Sequence, residues 1–244
     1  MTVESVVWDE WYPVAIAEDV TPCKVYKTRL LGHSIEYACD AAGRLTAWRD
    51  NAERTPCRAL TRYHAHWVSL GEPSDGFFAL PEFDEPDRRA LGAGSMAVHV
   101  SGLRAIENFL DMSHFGFVHE GWLGSRDAAA IDDYRVESTA TGLLATGCKA
   151  WQPQSNLHST AAAQVEYTYE VTAPYAAVLT KVPEAHTTTV QGWRESIGLF
   201  ICPLTPETSR VWFRLAVADF DSPDEKLQAF QHTIFTQDQP VLES

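Results

Sequence analysis

The sequence predicts an α+β protein: a small β unit followed by a larger antiparallel sheet packed against a few helices. Three observations carry this. Short runs rich in β-branched and aromatic residues, separated by turn signals, fill the front of the chain. Four longer runs of the same kind, "AAQVEYTYEVTA", "AAVLTKV", "SIGLFICPL" and "SRVWFRLAVADF", fill its second half. Helical signatures are confined to a stretch around residues 107–124 and to the last twenty or so residues.

In chain order, "KVYKTRLLG" and "HSIEYACD" read as strands, and "DAAGRLTAW" as a hairpin turn entering a third. "TRYHAHWVSLG" alternates large and small residues and reads as a fourth. From Gly71 to Gly94 the composition shifts to Pro, Gly and charge, marking a linker. A strand ("SMAVHVS"), the helical stretch and the long strands follow. The final helix opens at "SPDEKL", with Ser222 as cap, Pro223 at the first helical position and Glu225 completing a capping box. There is no internal repeat or low-complexity tract.

Hydrophobic residues at 45% and charged residues at 21% describe an ordinary globular chain. A formal net charge of −14, with no basic run to offset it, argues against nucleic acid and against an anionic membrane surface as partners. "MTVESVVWDEWYPVA" places acids where a signal peptide needs basic and then apolar residues, and no segment has the length of a membrane span. The expected location is the cytoplasm. Five scattered cysteines (Cys23, Cys39, Cys57, Cys148 and Cys202) are expected as reduced thiols rather than a disulfide framework.

The chemistry concentrates in "ENFLDMSHFGFVHEGWLG". Asp111 precedes His114 by three residues, and His119 follows five later. Five helical steps turn about 140°, so both imidazoles face one ion only if the helix ends or widens, which Gly116 permits. Asp111 and His114, three apart, share a helical face, and an acid beside an imidazole fixes the tautomer of a ligating histidine. The competing reading is a pair of hydrogen-bonded core histidines. On the final helix, Leu227, Phe230 and Ile234 form an apolar stripe whose next position is Asp238, a buried carboxylate in need of a cation or metal. Pro240 frees the carbonyl of Thr236 and loosens the helix there. Two histidines and a carboxylate suit a non-heme Fe(II) site that activates oxygen, with zinc hydrolysis as the competing use. Phe109, Phe115, Phe117 and Trp122 are either core or a wall for a flat substrate.

"ENFLDMSHFGFVHEGWLG" closely resembles the mononuclear iron motif of the Rieske-type non-heme iron oxygenases, and "IFTQDQPVLES" resembles their C-terminal aspartate segment. "WYPVAIAEDV", "LLGHSIEYACDAAGRLTAWRDN" and "RYHAHWVSLGEP" resemble the framework strands of their N-terminal Rieske domain. The resemblance implies His114, His119 and Asp238 as ligands of a mononuclear Fe(II), O2 as co-substrate, and Asp111 as the acid linking that site to a Rieske cluster in a neighbouring subunit. It implies residues 1–75 as a small β-sandwich-like remnant of a Rieske domain, and residues 76–244 as a helix-grip (START-like) catalytic domain, short at its C-terminus.

One departure narrows it. A Rieske [2Fe–2S] centre takes its ligands as C-x-H and C-x-x-H, and none of the five cysteines has a histidine at either spacing. Only fourteen residues separate Trp48 from Tyr63, so the cluster loops read as excised, leaving His64 and His66 as surface or strand-packing residues. "EPDRRALGAGSMAVHVSGLRAIENFLDMSHFGFVH" looks like the bacterial methylxanthine N-demethylases, in particular the component acting on 7-methylxanthine. That resemblance implies oxidative N-demethylation of a planar heterocycle with release of formaldehyde. It also implies electrons from a partner Rieske protein or reductase, and a trimer or hetero-oligomer. The alternatives are a non-catalytic subunit of such a complex, a binder of apolar ligands, and an O-demethylase or hydroxylase of an aromatic acid.

Overall fold

The computed structural model describes residues 3–74, 76–140, 142–189 and 192–244. Helix α1 (Val3–Trp8) leads into six strands: β1 (Tyr12–Ile16), β2 (Val25–Leu30), β3 (His33–Cys39), β4 (Leu45–Arg49), β5 (Pro56–Arg62) and β6 (Ala65–Ser69). They pair antiparallel in the order β1-β6-β5-β4-β3-β2. The segment 61–71, expected as one strand, holds the end of β5, a hairpin corner and the whole of β6. Tyr63 and His64 sit at φ +52° and +55° between β5 and β6. Two consecutive left-handed residues give the twist a two-residue hairpin needs, but without the Asn-Gly or Asp-Gly that usually announces it.

The second sheet comprises β7 (Arg89–Val98) and, after helices α2 (Gly102–Leu110) and α3 (Phe115–Val118), strands β8 (Arg135–Ser138), β9 (Leu143–Gln152), β10 (Ala163–Ala173), β11 (Ala176–Pro183), β12 (Glu195–Thr205) and β13 (Thr208–Val217). Its order is β7-β13-β12-β11-β10-β9-β8, and helix α4 (Asp224–Leu242) closes the chain. Strand β7 starts within the expected linker. Gly94, at φ +92°, stands with Ala93 against the single residue Phe213, so the glycine marks a β-bulge rather than a flexible segment.

Around β12 both faces of this sheet are covered. On β12, Ile197, Leu199 and Ile201 join the core beneath α2 and α4, while Phe200 and Cys202 join a second core with Tyr12, Trp67 and Leu30 of the first sheet. Such a strand reads as a continuous apolar run, as "SIGLFICPL" does. The two sheets are also tied by Leu31 N–H to the Pro203 carbonyl (2.8 Å) and by buried Arg214 to Glu18 (2.8 Å).

Two helix expectations need correction. Helix α2 ends at Leu110 and Asp111 is extended (φ −85°, ψ 115°), so Asp111 and His114 share no helical face. The N-cap of α4 is Pro223, without a side-chain cap. Ser222 turns instead to the loop before it, donating its N–H to Asp219 Oδ1 (2.9 Å). Helix α4 runs to Leu242 with Pro240 inside its last turn. Among the described residues no helix is long and apolar enough to cross a membrane.

Candidate metal centre

Beyond α2, Asp111 accepts the Ser113 N–H at 2.7 Å, a turn that stops the helix and redirects the chain. The single turn α3 follows, with His114 at its start and His119 at its end. One imidazole therefore enters the site from each end of a four-residue helix. Gly116 and Gly124 let the flanking segment cross close by: a Cβ on Gly124 would lie 2.5 Å from the Phe115 carbonyl carbon.

Asp238 arrives from α4, on the stripe of Leu227, Ile234 and Leu242. His114 Nε2 and His119 Nε2 lie 3.1 Å apart, and Asp238 Oδ1 is 3.3 Å from the first and 3.1 Å from the second. His119 is 1% exposed and Asp238 6%. Burial raises the Asp238 carboxyl, and donated hydrogen bonds and positive charge from the two imidazoles, where they are protonated, more than reverse it. Among the described residues these three form the one group of His, Cys, Asp or Glu able to hold a metal.

The donor set fits a cation. His119 Nδ1 faces Gln237 Oε1 at 2.8 Å, and a carbonyl oxygen only accepts, so the proton sits on Nδ1 and Nε2 presents a lone pair. Asp238 Oδ1, turned toward that lone pair, is buried without a hydrogen-bond partner. The lone pairs of His119 Nε2 and Asp238 Oδ1 repel unless a positive charge or a proton donated by His114 lies between them. On the far side of His114, Asp111 Oδ2 approaches Nδ1 at 3.5 Å. Burial raises Asp111, and the Ser113 and His114 contacts more than reverse it.

The three side chains line one end of a narrow cavity. Phe109, Phe115, Phe213 and Phe230 form much of its wall, and Asn108, Tyr167, Lys181 and Gln231 interrupt the apolar lining. The profile of the vanillate O-demethylase oxygenase C-terminal domain matches residues 98–244. The chain belongs to the Rieske-type oxygenases.

Further similarities agree. The chain is 37% identical over 243 residues to a probable methylxanthine N7-demethylase, NdmC, of Pseudomonas sp. (strain TJI-51), covering 98% of this chain and 83% of the relative. It is 27% identical over 196 residues to the methylxanthine N3-demethylase NdmB of Pseudomonas putida, covering 75% of this chain and half of the relative. NdmA of Pseudomonas putida CBB5 with caffeine superposes with a TM-score of 0.77 at 16% identity, covering 99% and 83% of the two chains. Dicamba monooxygenase with 3,6-dichlorosalicylic acid superposes with a TM-score of 0.78 at 14% identity, covering 97% and 87%. At such identities the superpositions establish the fold: mostly antiparallel sheets with few helices.

The protein is thus a Rieske-type oxygenase, an enzyme rather than a binding module. Within it, Phe109 and Phe115 line the cavity, Trp122 packs on Phe230, and Phe117 is 57% exposed. His66 is buried between Thr61 Oγ1 (2.8 Å) and Cys39 Sγ (3.4 Å), while His64 is exposed at the hairpin corner. The sequence reading missed Gln237, Tyr167, Lys181 and Gln231. Gln231 had a signal, lying four residues after Leu227 on the buried stripe. Lys181 had one too, on the core-facing alternation of Ala177 and Leu179.

Proposed function

We propose that this oxygenase catalyses oxidative N-demethylation of a planar N-methylated heterocycle of the methylxanthine class. His114, His119 and Asp238 hold a mononuclear Fe(II), and O2 is the co-substrate. The carrying observation is the partnerless Asp238 Oδ1 facing two imidazole nitrogens at the end of an aromatic cavity. The demethylase relatives support the reaction type. Bound Fe(II) would supply oxygen activation, by which the N-methyl group is hydroxylated to a carbinolamine that releases formaldehyde.

The chain's own residues do the rest. Gln237 keeps the proton of His119 on Nδ1. Phe109, Phe115 and Phe230 give a flat ring a dry slot beside the ligands. Asp111 bridges His114 toward a subunit surface, where a partner Rieske protein delivers electrons. The six-stranded sheet of residues 12–69 is then the framework of a cluster domain whose ligand loops are gone.

The test is an iron-loaded sample assayed with 7-methylxanthine and a Rieske-bearing reductase. It should contain about one Fe per chain and release formaldehyde in step with demethylated product. The second reading, O-demethylation of a methoxylated aromatic acid, is favoured by the matching family description. Formaldehyde from methoxybenzoates, with none from methylxanthines, would establish it instead.

A further inference from the structure

The core-facing side of the second sheet carries an ion pair that the metal centre does not use. On β10, β11 and β12, Tyr167, Lys181 and Glu195 are successive cross-strand neighbours. Strand alternation turns them, with Leu179 and Ile197, toward α4 and the cavity. Lys181 is 3% exposed and Glu195 4%, yet Lys181 lines the same cavity as His114, His119 and Asp238.

The ammonium is incompletely used. Lys181 Nζ donates to the Ser155 carbonyl at 2.8 Å. Glu195 Oε2 also lies 2.8 Å away, but off the line of a good hydrogen bond. An ammonium has three donors, so among the described residues at least one N–H is left without an acceptor. Nζ also stands 5.6 Å from the centroid of the Phe230 ring, another wall of the cavity. A strut between strands has no need of a spare donor beside an aromatic wall in a ligand cavity.

We propose that Lys181 donates this hydrogen bond to a ring carbonyl oxygen of the substrate, with the ring against Phe230, and so sets which N-methyl group faces the metal centre. The proposal rests on the N-demethylase reading for the ring it takes. Glu195 balances the charge and Ser155 aims the ammonium. Lys181 is therefore a specificity-determining binding residue.

Calorimetry on the iron-loaded protein, with 7-methylxanthine and 7-methylpurine, tests it. The second ligand keeps the ring N-methyl but lacks both exocyclic oxygens. Lys181→Met with Glu195→Gln replaces the ion pair by neutral groups of similar size, leaving no lone buried charge. This variant should keep its iron, bind 7-methylxanthine about 10- to 100-fold more weakly, and bind 7-methylpurine as the wild type does. Should it lose its fold, Lys181→Gln with Glu195→Gln retains a neutral donor and should show a smaller loss, again confined to 7-methylxanthine. Equal losses for both ligands, or no loss for 7-methylxanthine, overturn the proposal. If the wild type takes 4-methoxybenzoate in place of 7-methylxanthine, the N-demethylase reading fails on its own. Lys181 then stands if the variant loses the benzoate by the same factor, and falls if it does not. Wild-type protein that binds none of the three overturns it.

Discussion

Gln237 and Asp238 are neighbours in sequence that meet opposite nitrogens of one imidazole, His119 Nδ1 and Nε2. That grip makes the proposed ligand set testable one residue at a time. Alanine at His114, His119 or Asp238 should remove most of the iron and all turnover, with the circular dichroism spectrum preserved. Glu243 is the control. Its Oε1 accepts from the His99 N–H at 3.0 Å and from Gln239, which occupies it away from the centre. Glu243→Ala should therefore keep about one Fe per chain. Iron retained in Asp238→Ala and lost in Glu243→Ala would exchange the two assignments. The proposed ligands were legible in the sequence because a carboxylate continuing an apolar stripe is costly to bury alone. Lys181 was harder to see, since its balancing charge lies fourteen residues away in sequence and meets it only across the β11–β12 pairing.

At the scale of elements, the site depends on how tightly α3 is held. Gly124 packs against the backbone of Phe115 and Gly116, and nothing there can move aside as a flexible side chain would. Gly124→Ala should destabilise the protein by about 1–3 kcal/mol and lower its iron content, measured by urea unfolding and metal analysis. The start of α4 depends on Asp219, which accepts two backbone N–H groups and lies 2.7 Å from His158 Nε2. Burial raises this carboxyl, but those hydrogen bonds dominate and hold it well below the ordinary value. With a depressed folded-state pKa, its stabilisation is full above the unfolded carboxylate range and is lost as pH falls through the folded value. Asp219→Asn should thus cost about 1–3 kcal/mol at pH 7, and the difference should shrink below about pH 4. A cost that is the same at pH 7 and pH 3 would assign the effect to packing. The long strands and α4 were legible from periodicity and composition. The end of α2 was not, because Asp111 stops it with a side-chain-to-backbone bond rather than with a glycine or proline. The β5–β6 corner hid for a similar reason: Tyr63 and His64 adopt a conformation that their identities do not advertise.

Over the whole molecule, exposure falls step by step along the proposed electron route. The Asp111 side chain is 44% exposed, that of His114 14%, and that of His119 1%. Electrons that reach the proposed iron from outside arrive most directly through the outermost of these. No cysteine in this sequence carries the histidine spacing of a Rieske cluster, so in the proposed scheme the electrons come from a partner protein. The purified chain with a simple reductase should accordingly show no sustained turnover, and a Rieske-bearing partner should restore it. Repeated turnovers without any iron–sulfur protein would end this account. Asp111→Asn separates electron entry from chemistry. It keeps the size of the side chain, and its amide oxygen can still accept the Ser113 N–H, but it removes the charge facing His114. The variant should bind iron and substrate nearly as the wild type does, and lose most of its turnover when electrons come from the partner. A chemically reduced sample mixed with O2 should still complete one turnover, read as a single equivalent of formaldehyde. If the iron is lost instead, Asp111 holds the site together and electrons enter elsewhere. If the single turnover fails with iron in place, Asp111 acts within the chemistry itself.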